Sequence, residues 1–277
     1  MRLKLWQVDA FAERVFAGNP AAVVPLESWL DDSRLQRIAD ENNLAETAFF
    51  TPREPGLYEL RWFTPTMEVP LCGHATIASA WVIFSELAPQ LDRVRFATKS
   101  GVLTVDKGTG GRHRMGMPAG RVEPFTPPDG FTTALGKSLG VSPPDELHFA
   151  PTGAGGTGAP LGVWPESAIR AMQLHGDLNT VLARIGARAV LTTAAGDGEP
   201  YDYVARFFAP GMGVPEDSVT GSMNCTLVPF WAKRLGKKSL RAFQASPRGG
   251  DLLCTDEGAR VTLSGACALY MKGEISV

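Results

Sequence analysis

The amino-acid sequence predicts an α+β fold of two pseudo-symmetric halves, in each of which a barrel-like sheet is wrapped around a central helix. Three features lead to this prediction: an internal repeat, segments in which polar and apolar residues alternate as in β-strands, and one long apolar segment in each half. The chain has 277 residues, of which 44% are hydrophobic and 20% charged, an ordinary composition for a globular protein.

The repeat is clearest in two ten-residue segments that begin at Arg61 and Arg206 and share six identical residues. Four blocks recur in the same order: residues 18–25 with 158–165, 45–51 with 187–193, 61–70 with 206–215, and Gly73-His74 with Gly221-Ser222. In this alignment the counterpart of Glu46 is Arg188. Similarity that keeps its order along the chain indicates two homologous halves.

Prolines and a glycine between Arg121 and Gly130 interrupt the periodicity and mark the boundary between the halves. We expect a first domain over residues 1–125, completed by a C-terminal strand over about residues 265–277. The second domain is expected over residues 126–264.

Local patterns predict the individual elements. Residues 1–9 alternate like a strand, and Asp31–Ser33 offers an N-cap to a helix in which Leu35 and Ile38 recur at helical spacing. Further strands are predicted over residues 47–50, 58–63, 93–96, 101–105 and 147–150.

The central helix of the first half is predicted over residues 75–84, which are apolar on nearly all sides, as in a helix buried within a domain. Its counterpart, Met223–Leu235, contains Pro229, which is predicted to kink it. Each helix follows a turn that contains glycine, at Gly73 and Gly221.

Charge and cysteine content exclude several classes of protein. The 27 basic and 29 acidic side chains give a net charge of −2, which provides no field for nucleic acid or a membrane surface. The N-terminus lacks a signal-peptide pattern, and the four cysteines show no C-x-x-C pair, so we expect a reduced cytoplasmic protein. The four histidines are scattered, so no metal site is expected, and His113 is expected in an exposed hairpin.

Residues 153–158 satisfy the G-x-G-x-x-G spacing of a dinucleotide site and follow a predicted strand. Such a site needs a helix directly afterwards, because the helix N-terminus holds the pyrophosphate. The segment that follows, Ala159–Pro165, contains two prolines and opens a helix poorly. We therefore expect no nucleotide cofactor.

The predicted helix starts are candidate anion sites. Glycines at Gly73 and Gly221 would let a carboxylate approach unpaired backbone N–H groups, and the helix dipole favours an anion there. If the two halves face each other, both starts converge on one cleft, with His74 and Asp217 beside it. The simpler interpretation is that the glycines only make turns and that Asp217 is a helix N-cap.

Glu46 is the strongest catalytic candidate. It follows the end of a predicted helix and opens the apolar strand Thr47–Phe50. A carboxylate there must be desolvated or paired, and desolvation favours its protonated form, which suits a group that exchanges protons with substrate. A surface ion pair at the helix end is the alternative.

Several motifs together resemble the PhzF-like family of phenazine biosynthesis, within the diaminopimelate-epimerase fold, over essentially the whole chain. They are Asp9-Ala-Phe, Phe16–Ala21, Asn43–Thr47, Arg61–Pro65, Glu68–Thr76 and Glu216–Ser222. The resemblance implies that Glu46 is the catalytic acid/base, assisted by His74 and Asp217, and that backbone amides around Gly73, Ala75, Gly221 and Ser222 hold a substrate carboxylate. It also implies no cofactor, a homodimer, and an isomerase such as one acting on a dihydro-hydroxyanthranilate. Ser218 stands where the family pattern commonly has proline.

Two alternatives are compatible with the sequence. A two-cysteine racemase would use one thiol at each helix start, yet only Cys72 precedes its glycine, whereas Thr220 precedes Gly221 and Cys225 lies four residues after it. The other alternative is a protein that binds a small carboxylate without catalysis.

Overall fold

In the computed structural model, which describes residues 1–151, 158–198 and 200–277, the chain divides into two compact units. Unit 1 comprises Met1–Met117 and Thr262–Val277, and unit 2 comprises Pro118–Val261. No helix in the described part of the chain has the length and apolar character that a membrane crossing needs.

A closed ring of strands forms unit 1. The strands are β1 (Arg2–Ala10), β2 (Asn19–Pro25), β3 (Glu46–Glu54), β4 (Leu57–Phe63), β5 (Glu68–Val69), β6 (Arg93–Thr98), β7 (Gly101–Lys107), β8 (Arg112–Pro118) and β17 (Arg260–Ser276). The ring is closed because each strand pairs with the next in the order β1, β2, β3, β4, β6, β7, β8, β17, and β17 pairs in turn with β1. Closure removes the free strand edges.

Helix α1 (Asp32–Asn42) covers this barrel, and helix α2 (Gly73–Val82) lies inside it. The Asp31 carboxylate caps α1 by accepting the Arg34 N–H at 2.9 Å. Every residue of α2 from Gly73 to Ala80 is buried, and α2 contacts β1, β2 and β3. A π-helical turn over Ile83–Leu87 follows. The predicted central helix is therefore confirmed.

Unit 2 repeats this plan. Its strands are β9 (Glu123–Pro124), β10 (Glu146–Ala150), β11 (Ala159–Val163), β12 (Val190–Ala195), β13 (Tyr203–Ala209), β14 (Val214–Asp217), β15 (Ser239–Gln244) and β16 (Gly250–Asp256). Its helices are α3 (Phe131–Ser138), α4 (Glu166–Ala171), α5 (Leu178–Ala183) and α6 (Gly221–Leu235). The central helix is α6, which continues through Pro229.

Hydrogen bonds tie α6 to the surrounding strands. The Tyr203 hydroxyl donates to Asn224 Oδ1 at 2.6 Å, and Trp231 Nε1 donates to Thr193 Oγ1 at 2.9 Å. All four side chains are buried, so each bond satisfies polar groups that burial would otherwise leave desolvated.

Strand pairing reproduces the sequence repeat. In unit 1, β1/β2 is antiparallel, β2/β3 parallel, β3/β4 antiparallel and β4/β6 parallel. In unit 2, β10/β11, β11/β12, β12/β13 and β13/β15 follow the same series. The predicted α+β fold of two similar halves is confirmed. Most of the glycine motif at residues 153–158 lies outside the described residues.

The expectation that His113 is exposed is wrong. It is only 3% exposed, and its ring lies 5.1 Å from that of Phe84. The hairpin register pairs His113 with Lys107, and alternate residues of β8 are buried from His113 onward. The pattern Gly-Gly-Arg-His-Arg was misleading because period-2 alternation had already begun at the histidine.

Candidate functional site

Glu46 and His74 form a close pair within unit 1. His74 Nε2 lies 3.2 Å from Glu46 Oε2, and the side chains are only 6% and 18% exposed respectively. Glu46 opens β3 and His74 is the second residue of α2. Glu46 is therefore paired within the unit, and the surface ion pair considered from the sequence is not the arrangement found.

Local backbone chemistry places Glu46 at this point. Helix α1 ends at Asn42, and its C-cap residue Asn43 has a φ of 48°, in the left-handed region that an asparagine tolerates. The chain then turns into β3. Parallel pairing of β3 with β2 sets Glu46 opposite Ala21. The carboxylate thus lies beside the buried start of β2.

The other nitrogen of His74 has two buried neighbours. Asn19 Nδ2 lies 3.2 Å and Cys72 Sγ lies 3.5 Å from His74 Nδ1. An amide nitrogen can only donate, so Nδ1 accepts from Asn19 and a neutral ring carries its proton on Nε2, the nitrogen 3.2 Å from Glu46 Oε2. Asn19 comes from the first position of β2. The imidazole is therefore held by Asn19 and Cys72 at Nδ1 and has Glu46 beside Nε2.

The start of α2 offers backbone donors next to this pair. Cys72 has extended backbone and is the N-cap residue, so Gly73 is the first helical residue and Ala75 the third. N–H groups in a first helical turn have no intrahelical acceptor, and the helix dipole favours an anion there. The predicted carboxylate-binding residues of this half therefore have suitable surroundings.

In unit 2, Asp217 is held at the end of β14. Thr220 Oγ1 donates to Asp217 Oδ2 at 2.6 Å, and Gln244 Nε2 donates to the Asp217 carbonyl at 2.7 Å. The N-cap of α6 is Thr220, so the alternative that Asp217 is a simple N-cap is wrong. Gly221 and Ser222 are the first two residues of α6.

The loop from Asp217 to Thr220 is braced by β15 and the chain directly after it. The Thr220 N–H donates to Gln244 Oε1 at 2.7 Å, and Ser246 Oγ donates to the Ser218 carbonyl at 2.6 Å. At Ser218 the resemblance noted from the sequence implies a proline. These bonds constrain the loop without a proline ring.

Each unit contains an arginine–glutamate ion pair whose arginine lies at the same position of the repeat. These two pairs show where the sequence alignment has to be changed. Arg61 binds Glu68 with two bonds of 2.9 Å, and Arg206 binds Glu216 with bonds of 2.7 and 2.8 Å. The sequence alignment had paired Glu68 with Gly213, whereas the ion pairs match Glu68 with Glu216. The three extra residues of the second half therefore lie before Glu216, not after Pro215. The Arg61 guanidinium lowers the pKa of Glu68 to about 2.

The counterpart of Glu46 also changes. Thr47 pairs with Phe63 in unit 1, and Val190 pairs with Phe208 in unit 2. Since Phe63 aligns with Phe208, Glu46 corresponds to the buried Ala189, and the alignment with Arg188 is wrong. The carboxylate is still present in one half only.

The thiols do not form a matched pair. The N-cap residues of the two central helices are Cys72 and Thr220, which confirms the correspondence made from the sequence. Cys225 lies one turn into α6, where burial raises its pKa to about 12. A thiol with that pKa is a poor base at neutral pH, which disfavours a two-cysteine racemase.

Sequence reasoning did not assign roles to Asn19 and Gln244, which hold His74 and the Asp217 loop. Asn19 belongs to the motif Gly18-Asn19-Pro20, which carried family resemblance but no stated role. Gln244 has no signal in the sequence, because its contacts are made across the fold with the loop before α6.

Comparisons with known proteins show what the chain is similar to. A sequence profile described as phenazine biosynthesis-like protein, PhzC-PhzF, matches residues 8–273. An uncharacterized isomerase from Pseudomonas aeruginosa is 46% identical over 275 residues, with 99% of each chain covered. A PhzF-family phenazine biosynthesis protein from Enterococcus faecalis has a TM-score of 0.87 at 36% identity, with 100% of each chain covered.

More distant structures show the fold alone. A hydroxyproline epimerase from Agrobacterium vitis has a TM-score of 0.64 at 11% identity, covering 99% of this chain and 92% of its own. The epimerase-like fold and the enzyme class, an isomerase, are thus confirmed. From the match over residues 8–273 and the identity to full-length relatives, this chain belongs to the PhzC-PhzF family of phenazine biosynthesis-like proteins.

Proposed function

We propose that the protein is a cofactor-independent isomerase that moves a proton on a small carboxylate substrate, cyclic acids included, with Glu46 as the acid/base. The observation that carries the proposal is the 3.2 Å separation between Glu46 Oε2 and His74 Nε2 in a nearly buried setting. A carboxylate that is paired and shielded from water is suited to take a proton from carbon and return it at another position.

The proposed reaction conserves all atoms. Glu46 takes the proton from a carbon next to an electron-withdrawing group, the electron pair moves into the conjugated system, and the carboxyl group then delivers the proton to another atom. His74, with its proton on Nε2, places that nitrogen 3.2 Å from the Glu46 carboxylate. This division of roles follows from the Asn19 contact at Nδ1.

Substrate binding is assigned to the helix starts. The N–H groups around Gly73 and Ala75 in α2 would hold a carboxylate, since they lie at the positive end of that helix. Asp217, Gly221 and Ser222 stay predicted contributors from the second half. Homodimer formation, a cytoplasmic location and independence of cofactors also stay predictions.

The test is a screen of cyclic and α-substituted carboxylates by NMR in heavy water, which detects proton exchange without assuming a product. Glu46→Gln should lower exchange by roughly 10²- to 10⁴-fold, the usual contribution of general acid–base catalysis. Glu54→Gln is the matched control, because Glu54 is exposed at the other end of the same strand. It should exchange substrate at the wild-type rate.

Circular dichroism and thermal unfolding of both variants would establish that each is folded. Near-normal exchange by folded Glu46→Gln would refute the assignment. Tight carboxylate binding by the wild type with no exchange of any bound compound would support a non-catalytic binding protein instead.

A further inference from the structure

The side chains of Glu46, Cys72 and His74 form one cluster in unit 1. A carboxylate oxygen, a thiol sulfur and an imidazole nitrogen, one from each residue, all lie within 4.8 Å of one another. We propose that this cluster binds a zinc-class divalent ion and that the bound ion reversibly inhibits the isomerase. The inhibitory part of this inference rests on the proposed function, whereas the binding part does not.

The separations suit a tetrahedral ion. Zinc bonds of about 2.3 Å to sulfur and about 2.0 Å to nitrogen and oxygen place neighbouring ligand atoms about 3.3–3.6 Å apart. His74 Nδ1 lies 3.5 Å from Cys72 Sγ, and His74 Nε2 lies 3.2 Å from Glu46 Oε2. Because these contacts involve different ring nitrogens, binding requires a rotation of the imidazole or of Cys72.

That rotation is small. No pair among the three ligand atoms is separated by more than 4.8 Å, so the longest edge must shorten by only about 1 Å to match a zinc tetrahedron. Cys72 has a single torsion that moves its sulfur, and its backbone is already extended at the start of α2. Three protein ligands leave the fourth position for water.

Charge and ligand type select the ion. A Cys72 thiolate and the Glu46 carboxylate together neutralise a divalent cation, which matters because Cys72 and His74 are only 6% and 5% exposed. Thiolate and imidazole favour zinc-class ions, whereas magnesium and calcium prefer all-oxygen sites. Binding releases the thiol proton, so affinity should rise with pH.

Inhibition follows from the shared ligand. The Glu46 oxygen bound to the ion is no longer available to take a proton from substrate, and the His74 nitrogen bound to it no longer carries a proton. Removing the ion restores both groups. The sequence had indicated no metal site because His74 has no second ligand at helical spacing; here the further ligands are Cys72, two residues earlier, and Glu46, from another element.

The binding experiment uses full-length protein freed of metal with a chelator and titrated with Co²⁺ as the spectroscopic probe. We expect one ion per chain, tetrahedral d–d bands and a sulfur-to-cobalt charge-transfer band, with Zn²⁺ displacing Co²⁺ and Mg²⁺ having no effect. Cys72→Ser should abolish the charge-transfer band, and Cys72→Ser and His74→Gln should each weaken affinity by at least about 10-fold. Cys225→Ser, which replaces a cysteine near the start of the other central helix, should change neither the charge-transfer band nor the affinity.

Absence of saturable Co²⁺ binding by folded wild type, or a charge-transfer band that survives in Cys72→Ser, would overturn the inference. Cys72→Ala provides a second variant if Cys72→Ser does not fold. Exchange activity with chelator present separates the two proposals. Wild type that exchanges substrate but binds no Co²⁺ defeats the metal site alone, whereas Co²⁺ binding with full exchange by Glu46→Gln defeats the catalytic assignment alone. Exchange that saturating Zn²⁺ leaves unchanged overturns the inhibition.

Discussion

His74 Nδ1 accepts a hydrogen bond from Asn19 Nδ2 at 3.2 Å, and this contact decides which ring nitrogen of the imidazole carries the proton. Asn19 is 1% exposed, so the bond is shielded from bulk solvent. Because the amide nitrogen donates, the Nε2–H tautomer of the ring is favoured. A residue outside the proposed acid/base pair thereby places the ring proton on the nitrogen that lies 3.2 Å from Glu46.

Asn19→Asp should reverse that polarity. A carboxylate accepts where the amide donated, so the proton is drawn to Nδ1 and a neutral ring no longer carries one on Nε2, the nitrogen beside Glu46. We expect exchange activity to fall by roughly 10- to 100-fold, the scale of a hydrogen bond to a charged group. Nitrogen-15 NMR of the His74 ring would report the proton's position. Asn179→Asp, on the surface of unit 2, is the control, and an unchanged ring spectrum in Asn19→Asp would contradict the prediction.

Thr220→Val should impair catalysis through Asp217. The substitution keeps the β-branched shape and removes the hydroxyl that donates to Asp217 Oδ2 at 2.6 Å. We expect kcat for exchange to drop by roughly 10-fold or more, with a smaller change in KM, because a charge-assisted bond contributes about 1.5–3 kcal/mol. Thr226→Val, inside helix α6, is the matched control. Equal kinetics for the two variants would show that the bond does not orient Asp217 for catalysis.

His113 should make the fold sensitive to acid. Burial lowers its pKa to about 4 from the ordinary value of 6.5, so the unfolded chain binds more protons than the native state between those pH values. Stability is therefore complete above about pH 6.5 and is lost as pH falls toward 4, by up to about 3 kcal/mol. Urea unfolding at several pH values should show a flatter dependence for His113→Leu than for wild type.

His175→Gln, which removes an exposed imidazole, is the control variant. Parallel curves for wild type and His113→Leu would mean that another group causes the loss of stability in acid. The Lys107 cation, which also lowers the pKa of His113, predicts that Lys107→Met raises that pKa.

The two arginine–glutamate pairs should differ in their contribution to stability. The Arg206 side chain is 7% exposed and also donates to the carbonyls of Ile169 and Met172, whereas Arg61 is 20% exposed and keeps Asp32 as a second partner. Glu216→Gln should cost about 3–5 kcal/mol of unfolding free energy, as expected when a buried pair is broken.

Glu68→Gln should cost less, because Arg61 retains a carboxylate and more contact with water. Denaturant unfolding of both variants measures the difference. If both variants lost the same unfolding free energy, the deeper burial of the Arg206–Glu216 pair would not make it contribute more to stability.

Much of the fold could be predicted from the sequence because it depends on short-range patterns. Period-2 alternation predicted β1 and β4, the Asp31 cap predicted the start of α1, and two all-round apolar segments predicted the central helices. The repeat predicted two similar halves, although its alignment slipped by three residues before Glu216. The error in the alignment was visible only from contacts between residues distant in sequence: the pairing of strands in the sheet and the two Arg–Glu ion pairs.

The sequence by itself determined which ionisable residues lie near the helix starts and at the head of β3: His74 in the first turn of α2, Asp217 shortly before α6, and Glu46. Only the tertiary structure decided what surrounds them. Asn19 reaches His74 because β2, β3 and α2 come together in the barrel, and Gln244 reaches the Asp217 loop from the end of β15. Such contacts join residues far apart in sequence, so no local pattern of side chains encodes them.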